Sequence, residues 1–287
     1  MTTIHDVARH AGVSSTTVSR YLNRRILLPP ATTSRIDAAI HALNYRANIT
    51  AKRLSMGRTE TIGVVLRDIR EPILAEVVAA IEDEADRHNY SIYLSTTRGR
   101  QDREIAAIER LHDRHVDGLI MMTERHDDGT LTRLIGDRRQ IVLLGEDIPD
   151  LEVPRVFLAN EQGAYDATCH ILSAGHRAVG FIGGPEALIS VAERFDGFAR
   201  AMRDHDLAIS ERLVRVGSYE PGFGRATVAE FLKEEVPPTA LLVASDSLVL
   251  GAILGLRDHG LRVPEDMSVV GFDDVARTGL VHPELDS

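Results

Sequence analysis

Apolar residues recur at helical spacing along the first 44 positions. Ile4, Val7, Ala8 and Ala11 line up in "TIHDVARHAG", Val18 and Leu22 in "VSSTTVSRYLN", and Ile36, Ala39, Ile40 and Leu43 in "TTSRIDAAIHALNY". The spacing predicts three short helices. Thr3 with Asp6 three residues on reads as a capping box for the first, and Gly12 ends it. Ser14 is the N-cap of the second, and Pro30 fits the first turn of the third. On the second helix, Val18 and Leu22 face inward, with Tyr21 beside them. Ser15, Thr16, Ser19 and Arg20 then fall on the outer face. Two helices joined by a tight glycine-containing turn and backed by a third describe a helix-turn-helix. The plainer alternative is a small helical bundle with a polar face.

From Thr61 the pattern changes. Apolar runs such as "TIGVVL", "SIYLST", "DGLIMM" and "IVLLG", and later "RVFLA", "AVGFIG", "LVRVG", "TALLVAS" and "MSVVGF", alternate with amphipathic stretches such as "ILAEVVAAIEDEADRH". Short apolar strands alternating with helices indicate parallel sheets covered on both faces. Two such blocks predict two subdomains with a cleft at the carboxyl ends of the strands. The fold class expected is α/β, a three-helix head followed by two doubly wound parallel sheets.

Charge sharpens this division. The 287 residues carry a net −10, which by itself argues against nucleic-acid binding. Residues 1–58, however, hold nine Lys/Arg and two Asp/Glu, hence +7, which leaves −17 on the remainder. A basic head on an acidic body is the asymmetry expected where one end meets phosphate. The single cysteine, Cys169, rules out an internal disulfide framework and fits a reducing cytoplasm. The N-terminus has no cationic start followed by an apolar core, and no apolar run reaches the roughly 18 residues of a membrane span.

Several motifs, dense and in order, carry a family resemblance. "TIHDVARHAGVSSTTVSRYLN", "LNYRANITAKRLSMGRTETIGVV", "HVDGLI", "GHRAVGFIGGP", "PTALLVASDSLVLGA" and "GLRVPEDMSVVGFDD" resemble the LacI/GalR family of bacterial transcriptional regulators over the whole chain. The resemblance implies a helix-turn-helix domain at 1–46, a hinge helix or linker at 47–58, and a periplasmic-binding-protein-like core with halves at 59–159 and 160–287. It places the second helix in the major groove of double-stranded operator DNA. Ser15, Thr16 and Arg20 match base-reading positions, and Ser14, Thr17, Asn23 and Thr32 match phosphate-contacting ones. Thr3 is grouped with this DNA-facing set. Arginine suits bidentate bonding to guanine. In the hinge, Leu54 matches a leucine that wedges between base pairs, flanked by Lys52 and Arg53; a solvated linker is the plainer reading. Pro29 stands where relatives often place a capping serine.

For the core, the resemblance implies a small effector bound between the halves. The matching positions carry Glu71, Ile73, Met122, Glu146, Ser190, Arg194, Tyr219, Ser245 and Asp273. Arg194 is expected to fork hydrogen bonds to a ligand, Tyr219 to pack on a sugar ring face, and Asp273 to accept from hydroxyls. For Arg194 and Asp273 the plainer reading is a structural ion pair. Glu71 and Ser245 stand where relatives often carry Asn. A carboxylate-rich pocket favours a sugar or sugar derivative over a bare anion, unless Arg194 and Arg125 compensate. "VHPELDS" stops inside a segment that in the family runs on into a last crossover, a strand and a closing helix. The expectation is therefore an incomplete C-terminal half, from a fragment of a longer product or a shortened regulator; the native mass compared with 31.6 kDa would decide.

The function implied is an operator-binding repressor, a cytoplasmic homodimer on a pseudo-palindromic site, with an effector that tunes DNA affinity. The alternatives are a transport-type sugar-binding protein, which would need an export signal and no head, or a truncated regulator with impaired response. An enzyme finds little support. "GFIGGP" lacks the G-x-G-x-x-G spacing, no Walker or G-x-S-x-G sequence occurs, and the twelve histidines show no metal-ligand spacing, so neither metal nor cofactor is expected.

Overall fold

The computed structural model describes residues 2–23, 25–45, 57–123, 127–149 and 151–275. Lys52, Arg53 and Leu54 of the expected hinge, and Arg125, lie outside the described residues. The chain divides into two compact units, Met1–Thr59 and Glu60–Ser287.

The first unit holds α1 (Ile4–Ala11), α2 (Ser15–Leu22) and α3 (Pro30–Ala42). The capping box forms: Thr3 Oγ1 accepts from the Asp6 amide at 3.3 Å, and Asp6 accepts from the Thr3 amide at 3.0 Å. Gly12, at φ 63°, takes the left-handed conformation that closes α1 and starts the turn into α2. Ser14 caps α2, accepting from the Thr17 amide at 3.1 Å. α3 starts at Pro30, and Pro29 offers no side-chain cap, so about 1 kcal/mol of capping is absent there. Val7, Ala8, Ala11, Val18, Ile36 and Ala39 form the core, with Leu22, Ile40 and Leu43 packed against it. The Tyr21 hydroxyl donates to Asp37 at 2.8 Å and ties α2 to α3.

The second unit contains two parallel sheets. The first is built from β1 (Thr61–Leu66), β2 (Ser91–Thr96), β3 (Gly118–Met121), β4 (Ile141–Leu144) and β5 (Arg155–Val156), in the order β2-β1-β3-β4-β5. Its helices are α4 (Pro72–Arg87), α5 (Gln101–His112) and α6 (Thr130–Ile135). The second sheet comprises β6 (Val179–Gly183), β7 (Val214–Val216), β8 (Ala240–Val243) and β9 (Ser268–Val270), in the order β7-β6-β8-β9. Around it stand α7 (Asn160–Ser173), α8 (Ile189–Asp204), α9 (Pro221–Phe231) and α10 (Asp246–Asp258). All seven strand pairings among the described residues are parallel. The central strands β6 and β8 are buried at every position, which is why they read as unbroken apolar runs.

Several strands are shorter than their apolar runs predict, β5 and β7 among them. In "RVFLA" only Arg155 and Val156 pair, with β4; Phe157 and Leu158 leave the sheet toward the second half. In "LVRVG" Leu213 ends a 3-10 turn and pairing starts at Val214. In each sheet the strand order reverses once, between β1 and β3 and between β6 and β8. Ligand crevices form outside the carboxyl ends of strands at such reversals. Among the described residues no helix is long and apolar enough to cross a membrane, and no group of three or more His, Cys, Asp or Glu could hold a metal.

Candidate functional site

Two surfaces carry the residues singled out by sequence. On α2, Thr16 and Arg20 are exposed, as is Ser14 before it. Ser15, Thr17 and Ser19 are half-buried, so the outer face is narrower than the four residues expected. Arg20 makes no ion pair with the two described acids of this unit: Asp6 is held by Thr3 and Arg9, and Asp37 accepts from Tyr21. The Asn23 amide group donates to the Ser19 carbonyl at 2.9 Å and closes the C-terminal end of α2. Thr3 is exposed and Thr32 half-buried in the first turn of α3.

The second surface is a cavity of about 160 Å³ between the two sheets. Its lining follows the carboxyl ends of the strands. Glu71 comes after β1, Met122 after β3, Glu146 after β4, Ser190 and Arg194 after β6, Tyr219 after β7, Ser245 after β8 and Asp273 after β9. With Ile73, all nine expected effector positions meet there.

The contacts inside are specific. Glu146 is buried and accepts from the amides of Ile189 at 2.8 Å and Ser190 at 3.4 Å, and from the Ser190 hydroxyl. A carboxylate of the first half thus caps the first turn of α8 in the second. Arg194 is also buried. Its Nε donates to Asn160 at 2.9 Å and its Nη1 to the Ala244 carbonyl; Asp273 lies 3.5 Å from it, and Phe272 stacks below at 3.8 Å. Two of its nitrogens are therefore already taken, which narrows the fork expected for a ligand. Asp273 sits at φ 110°, a strained backbone for a residue with a side chain. Burial pushes its carboxyl up to about 6, against the pull of Arg194 and with a push from Asp246.

Tyr219 departs from expectation. A Cβ on Gly184 would stand 2.2 Å from its Cζ, so the ring lies flat against that glycine. The guanidinium of Arg67 is 4.8 Å from the ring centre. The ring is engaged by the protein itself, and stacking a sugar on it requires displacing one of these partners. Burial lifts its phenol pKa. Ser245 likewise has a structural duty, accepting from the Leu248 amide at 3.3 Å as the N-cap of α10.

Arg67, Asn160 and Phe272 are site residues that the sequence reading missed. Arg67 immediately follows β1, and a charged residue there was the available signal. It pairs with Glu71, which occupies the N-cap position of α4 without capping it. Burial raises the Glu71 pKa, with Arg67 opposing. A larger cavity of about 730 Å³ borders the same Ile73 and Asp273; α7 lines it with Gly163, Asp166, Ala167 and His170, and it holds no guanidinium among the described residues. The smaller cleft, with its convergent charges, is the better ligand site.

Comparison with known proteins follows this division of the chain. Residues 3–48 match the model of bacterial regulatory proteins of the lacI family, and residues 59–286 that of periplasmic binding proteins and the sugar binding domain of the LacI family. Catabolite control protein A of Priestia megaterium is 34% identical over 286 residues, covering 99% of this chain and 86% of the relative. The transcriptional repressor PurR of Haemophilus influenzae is 33% identical over 285 residues, covering 99% and 85%. Among solved structures, the Lac repressor bound to ONPG in its repressed state superposes with a TM-score of 0.87 at 28% identity, covering 99% of this chain and 86% of that one. The CelR–cellobiose complex gives 0.71 at 29%, with the same coverage. This chain belongs to the LacI family of bacterial regulatory proteins.

Proposed function

We propose that this regulator represses transcription as a cytoplasmic homodimer, each copy reading one half of a pseudo-palindromic operator, and that a sugar-like effector in the cleft tunes its grip. On this reading α2 enters the major groove, with Ser15, Thr16 and Arg20 at base edges. Ser14, Thr17, Asn23 and Thr32 hold phosphates, joined by Thr3, and the segment with Lys52, Arg53 and Leu54 addresses the minor groove. The half-site geometry follows from two-fold symmetry. The relatives support this: one solved Lac repressor is a dimer bound to operator and an anti-inducer, and CelR is solved with cellobiose.

One observation carries the effector half of the proposal. Glu146 spans the cleft to α8, so anything entering the cavity competes for a contact that holds the two halves together. A ligand that prefers one spacing of the halves shifts their equilibrium by its differential affinity, and the coupling to DNA is reciprocal. The chain acts by binding rather than by turnover.

The test is selection of bound fragments from genomic DNA, followed by fluorescence anisotropy on the recovered site with and without a panel of sugars. The expected result is salt-sensitive binding to a symmetric site, shifted by at least one sugar in the unaltered protein but not in Arg194→Ala. A protein that binds no DNA selectively, or whose Arg194→Ala variant keeps the full sugar response, contradicts the proposal.

A further inference from the structure

The cleft holds a buried donor that the protein leaves unsatisfied. Arg67 Nε has no hydrogen-bond partner, and its side chain is 12% exposed. One edge of this guanidinium is bound to Glu71, and Tyr219 lies beside it. A buried N–H without an acceptor is costly, so the arrangement favours any ligand that supplies one. The nitrogen is sealed in this conformation, and the guanidinium must turn from Tyr219 to meet a ligand.

The charges restrict what that ligand is. The cavity is lined by two guanidiniums, Arg67 and Arg194, and three carboxylates, Glu71, Glu146 and Asp273. An anionic ligand would set four negative charges against two positive ones in a desolvated space. A bare ammonium brings donors alone, which leave Arg67 Nε unsatisfied. A hydroxyl both accepts and donates. Neighbouring hydroxyls match a guanidinium and a carboxylate fixed side by side, and Arg67 and Glu71 are such a pair, four residues apart and joined. The volume of about 160 Å³ falls below the roughly 300–1,000 Å³ of pockets for drug-sized ligands, which favours one sugar ring over a chain of them.

We propose that Arg67 and Glu71 together read adjacent hydroxyls of a neutral, monosaccharide-sized polyol, the guanidinium donating to one oxygen and the carboxylate accepting from its neighbour. This rests on the cleft being the effector site. It adds a specificity-determining residue, Arg67, and narrows the ligand class.

The test uses the full chain. Thermal shift and titration calorimetry are run with neutral pentoses and hexoses, the corresponding uronic acids, sugar phosphates and amino sugars. A neutral sugar is expected to bind. Arg67→Gln and Glu71→Gln should each weaken it about 10- to 100-fold, as loss of a hydrogen bond to a charged group does. Each should also erase most of the preference for that sugar over its deoxy analogue, which a merely structural role leaves intact. Glu71→Gln keeps the shape of the pair, so the measurement survives a folding defect in Arg67→Gln. An unchanged preference in a folded variant overturns the proposal. So does wild-type protein that binds only anionic sugars, only amino sugars or none. If Arg194→Ala still abolishes binding of such another ligand, the cleft remains the effector site and the Arg67–Glu71 assignment alone fails.

Discussion

The carboxylate of Glu146 and the amide nitrogen of Ile189 lie 2.8 Å apart across 43 residues and two separate sheets. The first amides of a helix have no partner within it, and its N-terminus favours negative charge. Leu188, at the N-cap of α8, has no side chain to cap with, so Glu146 does so from the other half. Glu146→Ala strands the Ile189 and Ser190 amides. The expected loss is about 1–3 kcal/mol of unfolding free energy in urea, with Glu146→Gln in between because it keeps an acceptor without the charge. A loss below about 0.5 kcal/mol for Glu146→Ala, the range of ordinary surface changes, would show that the bridge is not formed in solution.

Arg20 stands exposed on α2, in no ion pair with Asp6 or Asp37, and is the residue best suited to read a guanine. Arg20→Ala should weaken binding to the selected operator by about 1–3 kcal/mol, roughly 5- to 150-fold, and weaken binding to a scrambled duplex much less. Arg20→Lys keeps the charge but loses the fork, so it should restore scrambled-duplex binding more than operator binding. Anisotropy titrations at two salt concentrations measure both. Equal losses on the two duplexes would make Arg20 a phosphate contact.

Thr3 with Asp6, Ser14 with Thr17 and Gly12 act within three or four residues, so periodicity and cap chemistry suffice to identify all of them. The strands β1 and β2 match their apolar runs to the residue, although only β1 is largely buried and β2 is a partly exposed edge strand. The nine cleft positions came from family resemblance, and they converge because each follows a strand end. What each does there was not legible. The partners of Arg194 are Asn160, Ala244 and Asp273, 34, 50 and 79 positions away, and sequence spacing carries no trace of such pairs. Tyr219 looked free to stack because nothing local reveals Gly184 or Arg67 against its ring.

Asp273 gives the core a pH signature. Its carboxyl holds a proton up to about pH 6 in the folded chain, whereas its ordinary value is 3.8. Between these values the folded state binds more protons than the unfolded one. Stability from this group is therefore greatest below about pH 4, falls as pH rises toward 6, and stays at the lower level above that. Asp273→Asn cannot ionise. Its unfolding free energy relative to the unaltered protein should rise across that window, by an amount of the order of 3 kcal/mol. Paired urea titrations at pH 4, 5, 6 and 7 read the difference directly, since other groups cancel. A constant difference would leave its folded pKa at the ordinary value, and one that shrinks as pH rises would place the charge of Asp273 in a favourable environment instead.

Ser14 has two assignments that one pair of variants can separate. Its oxygen caps α2 by accepting from the Thr17 amide at 3.1 Å, and its exposed position suits a phosphate contact. Ser14→Ala removes both, at about 1 kcal/mol in helix stability. Ser14→Gly removes the oxygen too, but glycine at an N-cap costs only a few tenths of a kcal/mol because it leaves the first amides open to water. Amide hydrogen exchange in α2 of the full chain should therefore show clear loss of protection for Ser14→Ala and little for Ser14→Gly. If the hydroxyl also touches phosphate, operator affinity falls in both variants, and the fall in Ser14→Gly belongs to the DNA contact alone. Recovery of operator affinity in Ser14→Gly alongside recovered protection would reduce Ser14 to a cap.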